Sequence, residues 1–334
     1  MLRALGLILL SLTAGQAWST NCDLPQGDLD SRPLPEEGPT EITTRLYVND
    51  LISIHDADQS FVADAVFRAE WNDPRLAHNG TTPCVVSPAQ IWHPVLQLIN
   101  RRTVEQIRPP EFTVTPAGLV TMFLRSYGEF SFRADLSDFP FDEQELRFKV
   151  VSTYEAEDVR LVTAPDLFGM TNDPSVANWS IAVDGSRNLT YYIQPVDKHL
   201  ERLDFVLHAV RLTGYYTWQQ LVPLFLVVMM TWVVFWIPYE YVPPRVGLAA
   251  TAMLTLIAYR FAMSSVLPPI AYLTRLDIFM IGASILVFAA LSATVAVSYI
   301  YDHHNEELAD KVNNTARWLS PLLLVLVALG AFYS

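Results

Sequence analysis

The second half of the chain holds four long apolar runs, whereas the first half holds short runs in which apolar and polar residues alternate. The apolar runs are uncharged or nearly so and cover residues 212–239, 244–267, 278–301 and 318–334. A helix needs about 20 apolar residues to cross ~30 Å of hydrocarbon, and the last run barely reaches that length. The pattern predicts a transmembrane domain at residues 213–334, with helices at about 215–237, 244–267, 275–301 and 316–334.

The second apolar run has a pattern that is unusual for a lipid-facing helix. Six of its positions recur at spacings of four and three, which places them on one helical stripe. These positions are Gly247, Thr251, Leu254, Ala258, Phe261 and Ser265. Most are small or weakly polar, and two are bulky and apolar. From the residues alone, the stripe fits either the wall of a water-filled pore or the core of a helix bundle.

Residues 41–211 show the pattern of an all-β domain. Short stretches such as 45–48 and 61–67 partly alternate and are rich in β-branched and aromatic residues. Asp, Asn, Gly and Pro punctuate them at frequent intervals, as at 72–74 and 184–188. The sequence therefore predicts an all-β domain within residues 20–212, outside the membrane, followed by the four-helix transmembrane domain. An Ig-like β-sandwich fits this pattern, and the residues alone leave other all-β folds open.

The charges divide the chain in the same place. Residues 21–214 hold 29 Asp/Glu and 16 Lys/Arg, a balance of 16 − 29 = −13, while six acids and six bases cancel in the remainder. This division fits a solvated acidic domain joined to a membrane domain, and no basic patch points to nucleic acid. The sequence shows no catalytic triad pattern, phosphate loop or His/Cys metal cluster, so we expect neither an enzyme nor a bound cofactor or metal.

The N-terminus has the pattern of a secretory signal peptide at residues 1–19. Arg3 precedes a short apolar core, and Ala17-Trp18-Ser19 is a small-x-small cleavage site. The alternative, an N-terminal membrane helix, has too few apolar residues to span a bilayer. The signal would place the β-domain and the C-terminus outside the cytosol. In that compartment Cys22 and Cys84 are able to form a disulfide, and the sequence leaves this pairing open.

Several motifs and their order resemble the pentameric ligand-gated ion channels of the Cys-loop receptor superfamily. WNDPRL at 71–76, IWHP at 91–94 and FPFD at 139–142 are similar to motifs of that family. A proline in the first membrane helix (Pro223) and a Pro268-Pro269 linker follow in the family's order. The chain is most similar to the bacterial amine-gated members of the ELIC type. Ser131 and Glu145 replace the two cysteines that close the loop in animal receptors.

The resemblance implies a multi-pass homopentamer around a central pore, in the inner membrane of a bacterium, with the β-domain and the C-terminus on the periplasmic side. The stripe would become rings of pore-lining residues, and Leu254 and Phe261 would form the gate. The inner mouth is ambiguous, because Arg245 follows an anion-channel pattern while Glu240 would form a carboxylate ring. We expect permeant monovalent cations; the alternatives are an anion-selective channel and a non-conducting membrane solute sensor.

The resemblance also implies a ligand site between subunits and a coupling region below it. One subunit would contribute Gln97, Tyr154, Tyr191 and Tyr192, and its neighbour would contribute Tyr47, Val66 and Phe123. Two positions that are aromatic in amine-gated relatives are Thr153 and Leu200 here, so the partners expected are a small-molecule agonist or protons, the latter through His55, His78 and His93. Membrane lipid is the remaining partner.

The coupling residues implied by the resemblance lie at the junction of the two domains. They are Asp56, Asp58, Pro140, Asp142, Arg211 and Pro268. They would meet the linker at residues 267–274. We expect Arg211 to pair with Asp142 or Asp138; the alternative is that it binds lipid head groups.

Overall fold

The computed structural model describes residues 24, 27–263 and 267–333, so the predicted signal peptide, Cys22 and Ser265 lie outside the described residues. Within the described ranges, twelve strands precede four long helices. This order confirms the predicted fold class, an all-β domain followed by a four-helix transmembrane domain.

The strands alternate between buried and exposed residues, as expected for sheets with one face toward a core. In chain order they are β1 Thr40–His55, β2 Ser60–Asn72, β3 Cys84–Val86, β4 Leu96–Leu98, β5 Arg101–Gln106, β6 Glu111–Val114, β7 Leu119–Ser131, β8 Glu143–Glu155, β9 Val159–Val162, β10 Phe168–Met170, β11 Trp179–Ile193 and β12 Lys198–Arg211.

The strands form two sheets. The larger has the order β10-β1-β2-β7-β6-β3, with β5 added on β7 and β9 on β1, and the smaller has the order β11-β12-β8-β4. Phe61 and Phe130 from the larger sheet meet Phe148 from the smaller one, with ring centroids 5.2 and 4.9 Å from that of Phe148. Such edge-to-face packing of buried rings holds the two layers of the sandwich together.

Four apolar helices follow the sandwich: α1 Gly214–Trp236, α2 Val242–Met263, α3 Arg275–Asp302 and α4 Glu306–Phe332. All four are long and apolar enough to cross a membrane, and the chain is a multi-pass membrane protein. Helices α3 and α4 approach closely at Gly282, where an added Cβ would clash with Cγ1 of Val327. A side chain at Gly282 would therefore push the two helices apart.

The helix ends follow from local sequence. Pro243 and Pro244 stand in the first turn of α2, where a missing N–H leaves no helical hydrogen bond unmade. Thr274 and Asp277 form a reciprocal capping box at the start of α3, with Thr274 Oγ1 accepting from the Asp277 N–H at 3.0 Å.

The fourth helix begins at Glu306, ten residues before the predicted start at 316. Asn305 caps it by accepting from the Leu308 N–H at 3.2 Å, and Lys311 pairs with Glu307 one turn earlier at 2.7 Å. The uncharged run marks only the hydrocarbon-spanning part of this helix, because the first turns of the helix carry charges. The link between α3 and α4 is therefore three residues, 303–305, rather than about 15.

Cys84, at the start of β3, is disulfide-bonded. The chain holds two cysteines, and the second, Cys22, lies outside the described residues. Cys84 is buried, and its sulfur lies 3.3 Å from Nε2 of His78.

Candidate functional site

The stripe predicted on the second apolar run is exposed along α2. Gly247, Thr251, Leu254, Ala258 and Phe261 are all exposed, with Leu254 68% and Phe261 74% exposed. The opposite face of α2 is buried against the other helices through Arg245, Ala249, Ala252, Leu256 and Met263. The subunit therefore uses one face of α2 for its own core and leaves the stripe open.

The hydroxyl of Thr251 on this stripe and that of Thr255 beside it are satisfied within the helix. Thr251 Oγ1 donates to the carbonyl of Gly247 and Thr255 Oγ1 to that of Thr251, both at 2.8 Å. Each hydroxyl oxygen keeps its acceptor capacity for water, which makes this half of the stripe wettable. Gly247 has open space beyond its Cα, so packing in the subunit does not require a glycine there.

The two residues predicted to affect ion selectivity lie in different environments. Arg245 is fully buried, and its Nη2 donates to Oδ1 of Asn313 on α4 at 2.6 Å. Arg245 therefore faces the interior of the helix bundle and not the exposed stripe. Glu240 is exposed in the turn that precedes α2.

On the sandwich, Tyr47, Val66 and Phe123 line one groove of about 700 Å³. The sheet register explains this arrangement, because Tyr47 pairs with Val66 across β1 and β2, and Phe123 on β7 pairs with Arg68. Tyr47 and Phe123 are both about half exposed. Three residues predicted from different parts of the chain therefore share one open surface.

Sequence reasoning missed the charged residues of this groove. Arg45 and Arg68 line it and both pair with Glu70, which Thr121 Oγ1 also contacts at 3.4 Å. The spacing along the strands could have indicated them. Arg45 lies two positions from Tyr47 and Arg68 two from Val66, and residues two apart point to the same face of a strand.

The other predicted ligand residues lie elsewhere on the subunit. Tyr191 and Tyr192 are exposed on the β11–β12 hairpin, where Tyr192 stacks on His199 at 4.8 Å and donates to Asp197 at 3.0 Å. Tyr154 is half-buried against Trp92, with ring centroids 5.4 Å apart.

Gln97, on β4, lines a small cavity between the two sheets together with residues such as Phe67 and Val150. The groove with Tyr47 is lined by none of Gln97, Tyr154, Tyr191 and Tyr192 among the described residues. The two predicted halves of the ligand site therefore do not meet within a single subunit.

A buried charge cluster joins the sandwich to the helices at Arg211. Arg211 Nε donates to Asp142 Oδ1 at 2.7 Å and Nη2 to Asp142 Oδ2 at 2.9 Å, while Nη1 and Nη2 reach Asp56 at 2.8 and 2.9 Å. Burial alone would lower the pKa of Arg211, but hydrogen bonds and charge from Asp142 and Asp56 outweigh it and raise that pKa. The guanidinium is therefore a fixed cation between two carboxylates.

Aromatic rings surround this cluster. The guanidinium carbon of Arg211 lies 4.1 Å from the ring of Trp179, 5.0 Å from Phe139 and 5.5 Å from Tyr216, the last on α1. These cation–π contacts also tie the cation to both domains. Neither Trp179 nor Tyr216 was predicted, because no local motif indicates that two residues so far apart in sequence share one cation.

The loop at residues 136–142 contacts the linker before α3 and the start of α3 through three hydrogen bonds and one ion pair. Tyr272 accepts from the Leu136 N–H at 2.9 Å, and the N–H groups of Arg275 and Leu276 donate to the carbonyls of Ser137 and Phe139 at 3.0 and 3.3 Å. Asp138 pairs with Arg275 rather than with Arg211.

The remaining predicted coupling residues differ in burial. Pro140 and Pro268 are buried in this junction, whereas Asp58 is exposed at the tip of the β1–β2 turn. Phe141 on the loop contacts Phe332 at the end of α4, with ring centroids 5.8 Å apart. The loop therefore touches both the linker before α3 and the last turn of α4.

The three histidines predicted as proton sensors are dispersed. His55 bonds Ser53 at 2.9 Å, His78 lies against Cys84, and His93 packs against Phe112 at 5.4 Å. Burial lowers the pKa of His93, which favours its neutral form. The structure does not bring these histidines into one cluster.

The architecture is that of a ligand-gated ion channel: a groove on a β-sandwich, a charged junction beneath it, and a membrane helix with one open face. Comparison with known families supports the same class. Residues 25–183 match the family model described as neurotransmitter-gated ion-channel ligand binding domain, and residues 220–327 match the one described as neurotransmitter-gated ion-channel transmembrane region. The chain belongs to this family, the Cys-loop receptor superfamily.

Proposed function

We propose that the protein is a homopentameric, cation-selective channel of the bacterial ELIC type, opened by a ligand that binds between subunits. The observation that carries the proposal is the stripe on α2, which the subunit leaves exposed while it buries the opposite face. Five copies around an axis turn that stripe into a pore wall. The remaining open faces of α2 then pack against neighbouring subunits.

The gate in this proposal consists of the rings of Leu254 and Phe261. Both side chains are large, apolar and mostly exposed in the subunit. An apolar ring stops ions by dewetting, without closing the pore sterically. Gly247 and Thr251 form the wettable wall below, and Ser265 belongs to the proposed wall by its spacing alone.

We assign the selectivity to cations because of the charges near the inner mouth. Glu240 is exposed just before α2, whereas Arg245 is buried in the bundle and supplies no ring of positive charge to the stripe. Rings of carboxylates favour cations, and the acidic outer domain adds to their local concentration. This arrangement weakens the anion-selective alternative.

The agonist site is assigned to the groove with Tyr47, Val66 and Phe123, closed by Tyr154, Tyr191 and Tyr192 of an adjacent subunit. Support comes from the exposure of Tyr47 and Phe123 in one set and of Tyr191 and Tyr192 in the other, and from the separation of the two sets within one chain. Ligand binding there acts on the pore through the Arg211 cluster, which contacts the 136–142 loop and α1. The signal-peptide orientation places this domain on the periplasmic side.

Current recording from the reconstituted protein tests the proposal. A panel of small amines and amino acids, together with a pH series, is expected to evoke cation currents, measured by the reversal potential under NaCl dilution. Leu254→Ala is expected to lower the half-maximal agonist concentration by about tenfold, because a smaller apolar ring is easier to wet. Ile257→Ala, at an exposed apolar position of α2 beside the stripe, serves as the matched control and should change this concentration little.

Three results would count against the proposal. Absence of current with every ligand and pH would favour the non-conducting sensor. A reversal potential that follows chloride would favour the anion channel. An equal effect of Leu254→Ala and Ile257→Ala would remove Leu254 from the gate.

A further inference from the structure

The loop between β7 and β8 is fastened at its base by an asparagine. Nδ2 of Asn100 donates to the carbonyl of Ser131 at 2.9 Å and to that of Arg147 at 2.7 Å, and its Oδ1 accepts from the Lys149 N–H at 3.1 Å. Asn100 is 6% exposed. It therefore links the strand that enters the loop to the strand that leaves it.

Beside this link lies an open pocket of about 280 Å³ that the proposed channel mechanism does not use. Its lining residues are Ser131, Phe132, Arg133, Glu145, Arg147 and Lys149. The pocket follows the edge of β8, where the neighbouring strand β4 pairs only with residues 150–152. Below residue 150 the pairing with β4 ends, and Ile99 and Asn100 bond the backbone of Lys149 and Arg147 there in place of a strand.

The pocket is basic although the domain around it is acidic. Three bases and one acid line it, whereas residues 21–214 carry −13. The one acid is already engaged, because Glu145 pairs with Arg147 and with Arg187. Outside the lining, Asp204 pairs with Arg202 and also lies 3.7 Å from Nη1 of the lining residue Arg147. The two lining bases Arg133 and Lys149 make no ion pair with any described residue.

Burial and nearby positive charges both disfavour the charged form of Lys149. Its pKa is lowered first by burial and then by the nearby charges of Arg202 and Arg147, with Asp204 acting in the opposite direction. A negative charge in the pocket would relieve this repulsion. An anion with two charges fits better than chloride, because its oxygens can accept from a guanidinium and an ammonium together, while the Ser131 hydroxyl already donates to the Asn100 carbonyl at 3.2 Å.

We propose that this pocket binds a small doubly charged oxyanion, a phosphate or a dicarboxylate, that bridges Arg133 at the start of the loop to Lys149 on β8. The bound anion strengthens the link that Asn100 makes and so stiffens the loop that carries Phe139–Asp142 to the helices. The site is separate from the agonist groove and from the pore, so it does not depend on the proposed function.

Isothermal titration calorimetry on the full-length protein in detergent tests the site, with inorganic phosphate, succinate and chloride at matched ionic strength. We expect saturable binding of phosphate or succinate and none of chloride. Arg133→Gln and Lys149→Gln should each weaken binding about tenfold, since each removes one charged partner. Lys149→Arg should retain it. Arg160→Gln, an exposed base on β9, is the matched control and should leave it unchanged.

Comparison of phosphate with succinate shows which class of anion the pocket binds. Phosphate binding that fails in both Gln variants assigns a phosphate-type ligand, and succinate binding with the same losses assigns a carboxylate. Dissociation constants above about 10 mM for both ions would overturn the proposal. The same holds if Arg160→Gln weakens binding as much as Lys149→Gln, or if chloride gives equal heat. Thermal unfolding of each variant shows whether it is folded.

Discussion

Two buried arginines at opposite ends of the transmembrane domain are held in different ways. Arg211, above α1, makes four hydrogen bonds to two carboxylates and lies against three aromatic rings. Arg245, near the start of α2, donates from Nη2 to Asn313. Its Nε and Nη1 are buried and have no hydrogen-bond partner among the described residues.

The difference shows how the same side chain serves two purposes. Around Arg211 two carboxylates face one cation, so the cation is fully compensated. The cluster holds together strands and a helix that are far apart in sequence. Around Arg245 no carboxylate bonds the cation within the described residues, and its position depends on packing and on one amide. Removing a partner from a buried ion pair is costly, whereas replacing a poorly compensated buried charge by an apolar residue is often neutral or stabilising.

The largest expected effect follows removal of the cation at the junction. Arg211→Met should destabilise the protein by about 3–5 kcal/mol, because Asp142 and Asp56 would remain buried together without a counter-charge. Thermal unfolding of the detergent-purified protein measures the loss. Currents should fall as well, since the loop and α1 lose their common contact.

Arg275→Met is the control for this prediction. Arg275 pairs with Asp138, whose side chain is 55% exposed, and a pair so exposed to solvent contributes at most about 1 kcal/mol. Nη1 of Arg275 also donates to the Phe332 carbonyl at 3.1 Å, a bond that contributes about 1 kcal/mol. Equal losses in the two variants would contradict the idea that burial and charge balance make Arg211 the stronger link.

The Arg211 cluster was largely predictable from the sequence, and its rings were not. The motif at 139–142 and the arginine before the first apolar run pointed to Asp142, and the β1–β2 turn pointed to Asp56. Trp179 and Tyr216 join the same cation from β11 and α1. Contacts between distant segments with no shared motif depend on the sheet register and on the docking of the helices, which periodicity does not contain.

The surroundings of Arg245 were missed for a physical reason. The uncharged run that indicates α4 begins after Asn313, so that residue was assigned to a loop. The helix actually continues back to Glu306 because capping and an ion pair support its charged turns. The described stripe residues on α2 are exposed, as a period near 3.6 in the sequence allows, but residues beside the stripe such as Thr255 and Ile257 are exposed too.

A smaller effect is expected from the amide partner of Arg245. Asn313→Ala removes the acceptor of the Nη2 bond and a donor to the Phe235 carbonyl, a loss of about 1–3 kcal/mol. Thermal unfolding again measures it. Asn305→Ala, a cap substitution at the start of the same helix, serves as a comparison for general loosening of α4 and should cost about 1 kcal/mol. A larger loss in the cap variant would show that Arg245 gains little from Asn313.

The smallest effect, and the one that tests the comparison most sharply, is expected at Arg245 itself. Arg245→Met keeps a long apolar stem and removes two buried nitrogens that have no hydrogen-bond partner within the described residues, at the expense of the one bond to Asn313, so stability should change by no more than about 1 kcal/mol. The reversal potential under NaCl dilution should also stay the same, because the buried guanidinium does not face the stripe. If Arg245→Met destabilises the protein as strongly as Arg211→Met, the charge of Arg245 is compensated as well as that of Arg211, and the contrast between the two arginines fails. If it shifts the reversal potential, Arg245 faces the ions in the conducting state.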